Sequence, residues 1–349
     1  MMTPEQRIEA FWRGEQPDRI PYTIYWNEWR HTQHDRAWQK MFEDGLRVTF
    51  FVNPYTVTYS GDITFETKTT YEQGKQVVTE RFNTPLGSID WIRVDHWDKK
   101  FYLQSAQDYR IMTYIIEHTN IEPDFDKLLK KQQETAGFGI PHLSVGARSP
   151  YQAMLVDYAG LEQFAFHMMD FEEEVLTLYD ALHKNFSRRI DLLCDAPGMY
   201  VSLLENFTAE TVGPQRFKRF HLPIYESYFP KLHESGKIIG THFDGKLDCC
   251  KELIASSPID LIESLTPPPE GDLTLKACRK AWPEKLFWSN IQTSTYFNDK
   301  KTIRDTVLQA VEDAAPDGKR LAFEVSELIP PNWKESLPIV IEALKETQR

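Results

Sequence analysis

The chain has 349 residues, of which 41% are hydrophobic and 26% are charged. This composition is typical of a globular protein and excludes a disordered or fibrous chain. The 40 basic and 52 acidic residues give a formal net charge of −12. An acidic chain without a long basic run argues against a nucleic-acid partner. No window approaches about 18 uninterrupted apolar residues, so we expect no membrane span.

The cysteines are too few for a disulfide scaffold, and no Cys-x-x-Cys pair occurs among them. We therefore predict a reduced protein of the cytoplasm, with no secretory signal in its charged, amphipathic first residues. The four positions are Cys194, Cys249, Cys250 and Cys278.

The first predicted element is a helix over residues 4–13. Thr3 provides a capping hydroxyl, Pro4 occupies the first helical position, and Gln6 follows three residues after the cap. A β-rich run at residues 22–26 and another at 48–52 predict the first two strands.

From residue 55 the hydrophobic period changes to two, with turn signals at Gln73-Gly74 and Pro85-Leu86-Gly87. This pattern predicts an antiparallel meander. Polar alternation is typical of half-exposed strands, so we expect residues 55–100 to form an insertion that flanks or covers the main body.

Beyond residue 100, strand-like and helix-like segments alternate. With the two early runs this gives eight strands, which predicts a (β/α)₈ TIM barrel because parallel strands require crossovers. A doubly wound sheet is the alternative, but no Gly-x-Gly-x-x-Gly turn follows a strand. We interpret residues 1–349 as one barrel domain. The later predicted strands are 142–147, 200–205, 237–242, 260–265, 286–291 and 321–326, with helices including 161–181, 214–235 and 301–315.

Polar residues follow the predicted strands at their carboxyl ends, where active sites of such barrels lie. Because these ends meet at one face, one histidine and several carboxylates should converge there. The residues are Glu205 and Asn206, His242 and Asp244, Glu263, Asn290, and Glu327.

His242 and Asp244 are separated by one residue, so in extended chain both side chains point the same way. This suits two ligands of one divalent metal ion. The alternative interpretation is a solvated histidine followed by a turn-capping aspartate, with Glu205 and Glu327 as surface or helix-cap carboxylates.

Three segments then resemble one family. Residues 3–21 contain an opening helix followed by Pro-Asp-Arg-Ile-Pro, residues 236–245 read Gly-Lys-Ile-Ile-Gly-Thr-His-Phe-Asp-Gly, and residues 327–331 read Glu-Leu-Ile-Pro-Pro. They are similar to the Pro-Asp-Arg-x-Pro, Gly-(x)-His-x-Cys-Gly and Cys-x-x-Pro-Pro motifs of the uroporphyrinogen decarboxylase-like barrels. The resemblance covers nearly the whole chain, in order and spacing.

Within this family, the decarboxylases carry an arginine-rich Met-Arg-Gln-Ala-Gly-Arg stretch after the first strand, where this chain has Tyr-Trp-Asn-Glu-Trp-Arg at 25–30. The resemblance therefore favours the corrinoid-dependent methyltransferases, which hold zinc with one histidine and two cysteines. Here His242 matches the histidine, while Asp244 and Glu327 replace the cysteines. Carboxylates make a harder, more Lewis-acidic site, which disfavours thiol methylation and favours polarising an oxygen.

The resemblance thus implies an enzyme that moves a methyl group from an O-methyl substrate, such as an aryl methyl ether, to a corrinoid on a partner protein. Two alternatives remain: a metal-independent, uroporphyrinogen decarboxylase-like lyase that acts on an organic acid with Glu205 and Glu263 as acid and base, and a non-catalytic corrinoid-protein binding subunit. A homodimer is left open. The implied zinc ligands are Glu205, His242, Asp244 and Glu327; the catalytic residues are Glu205, His242 and Glu263; the substrate-binding residues are Trp26, Trp29, Asn206 and Asn290.

Overall fold

The structure, a computed structural model, describes residues 1–325 and 328–347. Its strands, in chain order, are β1 (Tyr22–Tyr25), β2 (Arg47–Val52), β3 (Tyr55–Tyr59), β4 (Thr64–Glu72), β5 (Lys75–Thr84), β6 (Gly87–Val94), β7 (Trp97–Lys100), β8 (Thr119–Pro123), β9 (Gly139–Ser144), β10 (Tyr200–Leu203), β11 (Ile238–His242), β12 (Leu261–Leu265), β13 (Leu286–Ile291) and β14 (Leu321–Val325).

Eight of these strands close into a parallel barrel in the order β1-β14-β13-β12-β11-β10-β9-β2. The first strand closes the ring, because Tyr22 pairs with Phe323 on one side and Ile24 pairs with Val48 on the other. The predicted (β/α)₈ TIM barrel is therefore confirmed.

Helices connect and surround the strands. They are α1 (Pro4–Trp12), α2 (Trp26–Trp29), α3 (Ala37–Glu43), α4 (Ala106–Glu117), α5 (Asp126–Glu134), α6 (Pro150–Ala153), α7 (Leu161–Asp170), α8 (Glu172–Asp195), α9 (Ala209–Arg216), α10 (Leu222–Glu234), α11 (Lys251–Ser256), α12 (Leu275–Ala281), α13 (Lys300–Ala314) and α14 (Trp333–Lys345).

Some boundaries differ from the predicted ones. The third barrel strand begins at Gly139 rather than residue 142, with Pro141 inside the strand opposite Phe50 of β2. The predicted helix 161–181 is two helices, because the chain leaves helical geometry at Phe171, and three glutamates then open α8. Acidic residues are favourable in a first turn because the helix dipole is positive there. The end of the last predicted strand, at residue 326, lies outside the described residues.

The amino-terminal helix closes the bottom of the barrel. As predicted, Thr3 and Gln6 form a capping box and Pro4 opens the helix. At its other end, Trp12 stacks on Tyr200 of β10, with ring centroids 5.0 Å apart. Trp288 of β13 contacts both rings, so an aromatic core fills the barrel interior below the strand ends.

Contacts within the chain define two compact units. The barrel unit comprises residues 1–54, 125–146 and the chain from 194 onward, and the second unit comprises residues 55–124 and 147–193. In the second unit, β4 to β7 form a four-stranded antiparallel sheet, which confirms the antiparallel meander. The same unit contains a separate two-stranded sheet of β3 and β8, and β8 had no counterpart in the prediction. That the insertion covers the barrel mouth stays a prediction.

Among the described helices, none combines the length and the apolar character that crossing a lipid bilayer requires.

His142 of β9 makes the stability of the barrel unit depend on pH. Its ring is 2% exposed and packs between Phe51 and Tyr200, and burial lowers its pKa to about 4. Between pH 6.5 and 4 this histidine therefore carries a proton in the unfolded chain but not in the folded chain. The free energy of unfolding consequently falls as the pH falls. At pH 5 the loss for this one residue is about 2 kcal/mol.

We therefore predict that the free energy of unfolding falls between pH 7 and 5, and that His142→Phe, whose ring binds no proton, flattens this fall by about 2 kcal/mol. Urea unfolding at each pH measures both. Substitution of the exposed His34 by Phe is the matched control. An equal pH slope in wild type and His142→Phe would contradict the prediction.

Candidate active site at the carboxyl ends of the barrel strands

The hydroxyl of Tyr25, the last residue of β1, lies at the centre of a buried polar cluster. It is 3.0 Å from Ser264 Oγ and 3.2 Å from Glu324 Oε1. It also lies 3.5 Å from Glu263 Oε1 and 3.5 Å from His242 Nδ1. Residues from four barrel strands thus meet at one phenol oxygen.

An irregularity in β12 brings two consecutive side chains into this cluster. In a regular strand neighbouring side chains point to opposite faces, yet Glu263 and Ser264 both reach Tyr25. Ser264 has a left-handed φ of 56°, and the register with β13 shifts between Glu263 and Leu265. A bulge of this kind re-aims side chains, and a non-glycine residue with positive φ costs about 1–3 kcal/mol.

The two glutamates are buried beside each other and are held by hydroxyl donors. Ser202 Oγ donates to Glu263 Oε2 at 2.7 Å, and both the amide and the hydroxyl of Ser264 donate to Glu324 Oε1 at 3.1 Å. Burial raises the pKa of Glu263, and burial together with the charge of Glu263 raises the pKa of Glu324 well above its usual range. Of the two carboxyl groups, Glu324 therefore holds its proton more strongly.

His242 faces a different carboxylate with each of its ring nitrogens. Its Nε2 is 3.6 Å from Asp244 Oδ2, and its Nδ1 is 4.0 Å from Glu263 Oε2. Burial alone would raise the pKa of Asp244, but the hydrogen bond and charge of His242 outweigh it and lower that pKa. Asn206, which has a left-handed φ of 46°, donates to the same aspartate at 3.5 Å. The structure thus brings together four of the residues predicted from strand ends.

Glu205 lies two residues beyond β10 and is fully buried. Its Oε1 accepts a hydrogen bond of 2.7 Å from Tyr225 of α10. Within residues 1–325 and 328–347, no three acidic, histidine or cysteine side chains are grouped closely enough to hold a metal ion. Glu327, the fourth predicted ligand, lies outside the described residues. Its role and that of Glu205 stay predictions.

The predicted substrate-binding residues divide into two groups. Asn290 is buried at the end of β13, where its amide donates to Thr266 Oγ1 at 2.9 Å and its Oδ1 has no partner among the described residues. Trp29 packs against Phe138 with centroids 5.1 Å apart, and Trp26 lies under the guanidinium of Arg30. Contact of either tryptophan with a substrate stays a prediction.

Sequence analysis missed four members of the cluster, although one of them could have been recognised from its sequence context. Glu324 interrupts the apolar run Leu-Ala-Phe-Glu-Val, and an acid inside a buried strand requires a partner or a function. The hydroxyl residues gave no such signal, because Ser and Tyr occur throughout the chain. The missed residues are Tyr25, Ser202, Ser264 and Glu324.

Polar groups at the carboxyl ends of parallel barrel strands lie where α/β-barrel enzymes place their active sites.

No family profile and no curated protein matches this chain. Among solved structures, the chain is similar to a methyltransferase from Methanosarcina mazei, with 10% identity, a TM-score of 0.58 and 99% of both chains covered. A B12-independent methionine synthase from Shewanella sp. W3-18-1 aligns with 11% identity and a TM-score of 0.45, over 89% of this chain and 84% of that one. The first likeness shows that the fold is shared over the whole chain.

We predict that Tyr25→Phe lowers the free energy of unfolding by about 1–3 kcal/mol, because buried carboxyl oxygens lose a donor. The matched control is Tyr22→Phe, since the buried Tyr22 hydroxyl contacts the Tyr296 hydroxyl at 2.9 Å. Urea unfolding should show the smaller loss, about 1 kcal/mol, for the control. Equal losses in the two variants would argue against a central role for Tyr25.

Proposed function

We propose that this protein transfers a methyl group from the oxygen of a small substrate, an aryl methyl ether, to a corrinoid carried by a partner protein. The observation that carries the proposal is the juxtaposition of the His242–Asp244 pair with the two buried carboxyl groups around Tyr25. The whole-chain likeness to a methyltransferase barrel supports the same class of reaction.

The His242–Asp244 pair fits two ligands of one zinc ion. With bonds of about 2.0–2.1 Å, neighbouring donors of a tetrahedral site lie roughly 3.4 Å apart, and Nε2 and Oδ2 are separated by 3.6 Å. The other ring nitrogen faces Tyr25 and Glu263, as is usual for a histidine ligand oriented by a carboxylate. In this proposal Glu205 and Glu327 would complete the site, and Glu205 would have to leave its hydrogen bond with Tyr225 and approach the pair, because it is not grouped with His242 and Asp244 in this structure. A bound zinc ion supplies Lewis acidity towards the ether oxygen.

The carboxyl cluster supplies the proton that the departing oxygen needs. When the carbon–oxygen bond breaks, its electron pair stays on the oxygen, and the resulting phenolate takes up one proton. Burial raises the pKa of Glu263, which favours its protonated form, and Glu263 lies beside His242 at the strand ends. Tyr25 contacts both Glu263 and Glu324, so its hydroxyl can pass a replacement proton from Glu324 to Glu263.

Substrate contacts in this proposal come from the amides at the strand ends and from the aromatic residues after β1. Asn290 offers its Oδ1 as an acceptor, and Asn206 lies beside Asp244. Trp26 and Trp29 provide apolar surface for the aromatic ring of the ether.

The same cluster favours one other function, a metal-independent lyase that uses a protonated Glu263 as its acid. Glu205 would then be the base. Metal content separates the two proposals.

We predict about one zinc ion per chain in the purified protein, and its loss in His242→Ala and Glu327→Ala. Elemental analysis measures the metal directly. His233→Ala is the matched control, because His233 also pairs with an aspartate, Asp260 at 2.8 Å, but on the surface. A metal-free, fully folded wild type would overturn the zinc site and favour the lyase.

We also predict that Glu263→Gln slows demethylation of anisole, assayed with a reduced corrinoid protein, by roughly 10²–10⁴-fold. The loss should be much smaller with 4-nitroanisole, because nitrophenolate is a stable anion that leaves without a proton. Substitution of the exposed Glu312 by Gln is the control. Equal losses on both ethers would exclude Glu263 as the proton donor.

A further inference from the structure

The second unit contains a cavity of about 560 Å³ that the proposed reaction does not use. All of its lining residues belong to this unit. They come from the antiparallel sheets, the helices α4 and α8, and the segments after β7, before α6 and between α6 and α7. Ligand sites in proteins usually measure about 300–1,000 Å³, so the cavity has room for a small organic molecule.

One wall of the cavity is a continuous group of aromatic rings. The ring of Phe82 lies 5.3 Å from Tyr59, 4.6 Å from Phe65 and 5.8 Å from Tyr102. Tyr102 in turn contacts Tyr158, with centroids 6.5 Å apart. Mutual packing at these spacings is favourable and fixes the ring orientations. The wall is therefore formed before any ligand arrives.

Part of this apolar wall faces open space. Phe65 is 43% exposed and Val57 is 39% exposed, although both line the cavity. Apolar area left in water costs about 25 cal/mol per Å² relative to burial. A flat aromatic molecule between the rings would remove this area from water.

Charges around the cavity cancel. Arg93 pairs with Asp98 at 3.2 Å and Arg148 pairs with Asp157 at 3.0 Å. Glu80 accepts a hydrogen bond of 2.8 Å from a lining tyrosine. In the described lining, three arginines accompany three acidic residues. A lining without net charge favours a neutral ligand over an anion or a cation.

Two tyrosine hydroxyls supply the polar contacts. Tyr59 and Tyr158 line the cavity, and their hydroxyls make no hydrogen bond within the described part of the chain. Burial raises the pKa of Tyr158, so this hydroxyl stays protonated and can donate. Polar groups placed in this way on an apolar wall fix the orientation of a ligand.

We propose that this cavity binds a neutral, planar aromatic molecule that carries a hydrogen-bond-accepting oxygen. The lining residues all belong to the second unit, and the proposal does not rest on methyl transfer in the barrel.

The test uses 2-acetylnaphthalene, which carries a carbonyl oxygen, and 2-ethylnaphthalene, which has the same shape without the acceptor. Equilibrium dialysis with the full chain should show saturable binding of the ketone, with weaker binding of the hydrocarbon. The filling variants Val57→Trp and Ile116→Trp should weaken binding of both probes by roughly tenfold or more, which corresponds to about 1.4 kcal/mol.

Thr58→Trp is the matched control for the filling variants. Thr58 neighbours Val57 on β3, points to the opposite face and is exposed. The Thr58→Trp variant should bind both probes with wild-type affinity. Circular dichroism and thermal unfolding check that each variant is folded.

Tyr158→Phe tests the polar contact. It should reduce the preference for the ketone over the hydrocarbon, whereas Phe at the exposed Tyr71 should not. Absence of saturable binding would overturn the proposal. Wild-type affinity in both folded filling variants would also overturn it, because the probes would then occupy another site, such as the barrel.

Discussion

Closure of the sheet by β1 is the constraint on which the rest of the barrel unit depends. This four-residue strand pairs with β14 and with β2, so residues nearly 300 positions apart in the chain become neighbours. Closure also turns alternate side chains of each strand inward, where only close packing is stable. Below the strand ends the packing is aromatic, with Trp12, Tyr200 and Trp288 in mutual contact.

Above this apolar core, barrel closure buries two glutamates, Glu263 and Glu324, side by side. Two buried carboxylates would repel each other strongly at short range and low dielectric. Hydrogen bonds from hydroxyl groups stabilise the two side chains. Ser202 donates to Glu263, while Ser264 and Tyr25 donate to Glu324. Protonation removes the remaining repulsion. The same burial that threatens stability therefore raises the pKa of both carboxyl groups and favours their protonated forms.

In the second unit, aromatic and charged residues surround a cavity instead of forming a cluster of buried acids. Its antiparallel strands carry many exposed polar side chains, while the ring of Phe82 on β5 packs against that of Tyr102 in the segment after β7. Its charged residues pair across short distances and leave no net charge around the cavity. The barrel site concentrates acids that share protons, whereas this cavity offers apolar area with isolated hydroxyls. Two chemically distinct sites in one chain follow from these two environments.

Local sequence was sufficient for the elements that depend on local physics. The capping box at Thr3, the period of two in the meander and the eight strands are visible in the chain because caps, turns and hydrophobic periods act over a few residues. The strand ends also indicated that one histidine and several carboxylates converge at one face of the barrel, and His242, Asp244 and Glu263 lie together there. The helix break at Phe171 was missed, although the three glutamates that follow it are a local signal of a helix start.

Tertiary structure alone decided which of these residues meet. The bulge at Ser264 turns two consecutive side chains towards Tyr25, a departure from strand alternation that no periodicity reveals. Glu324 became part of the site only when β14 paired with β1. The sequence determined which side chains stand at strand ends, because alternation is local; their distances depend on barrel closure and strand register, which join residues far apart in the chain.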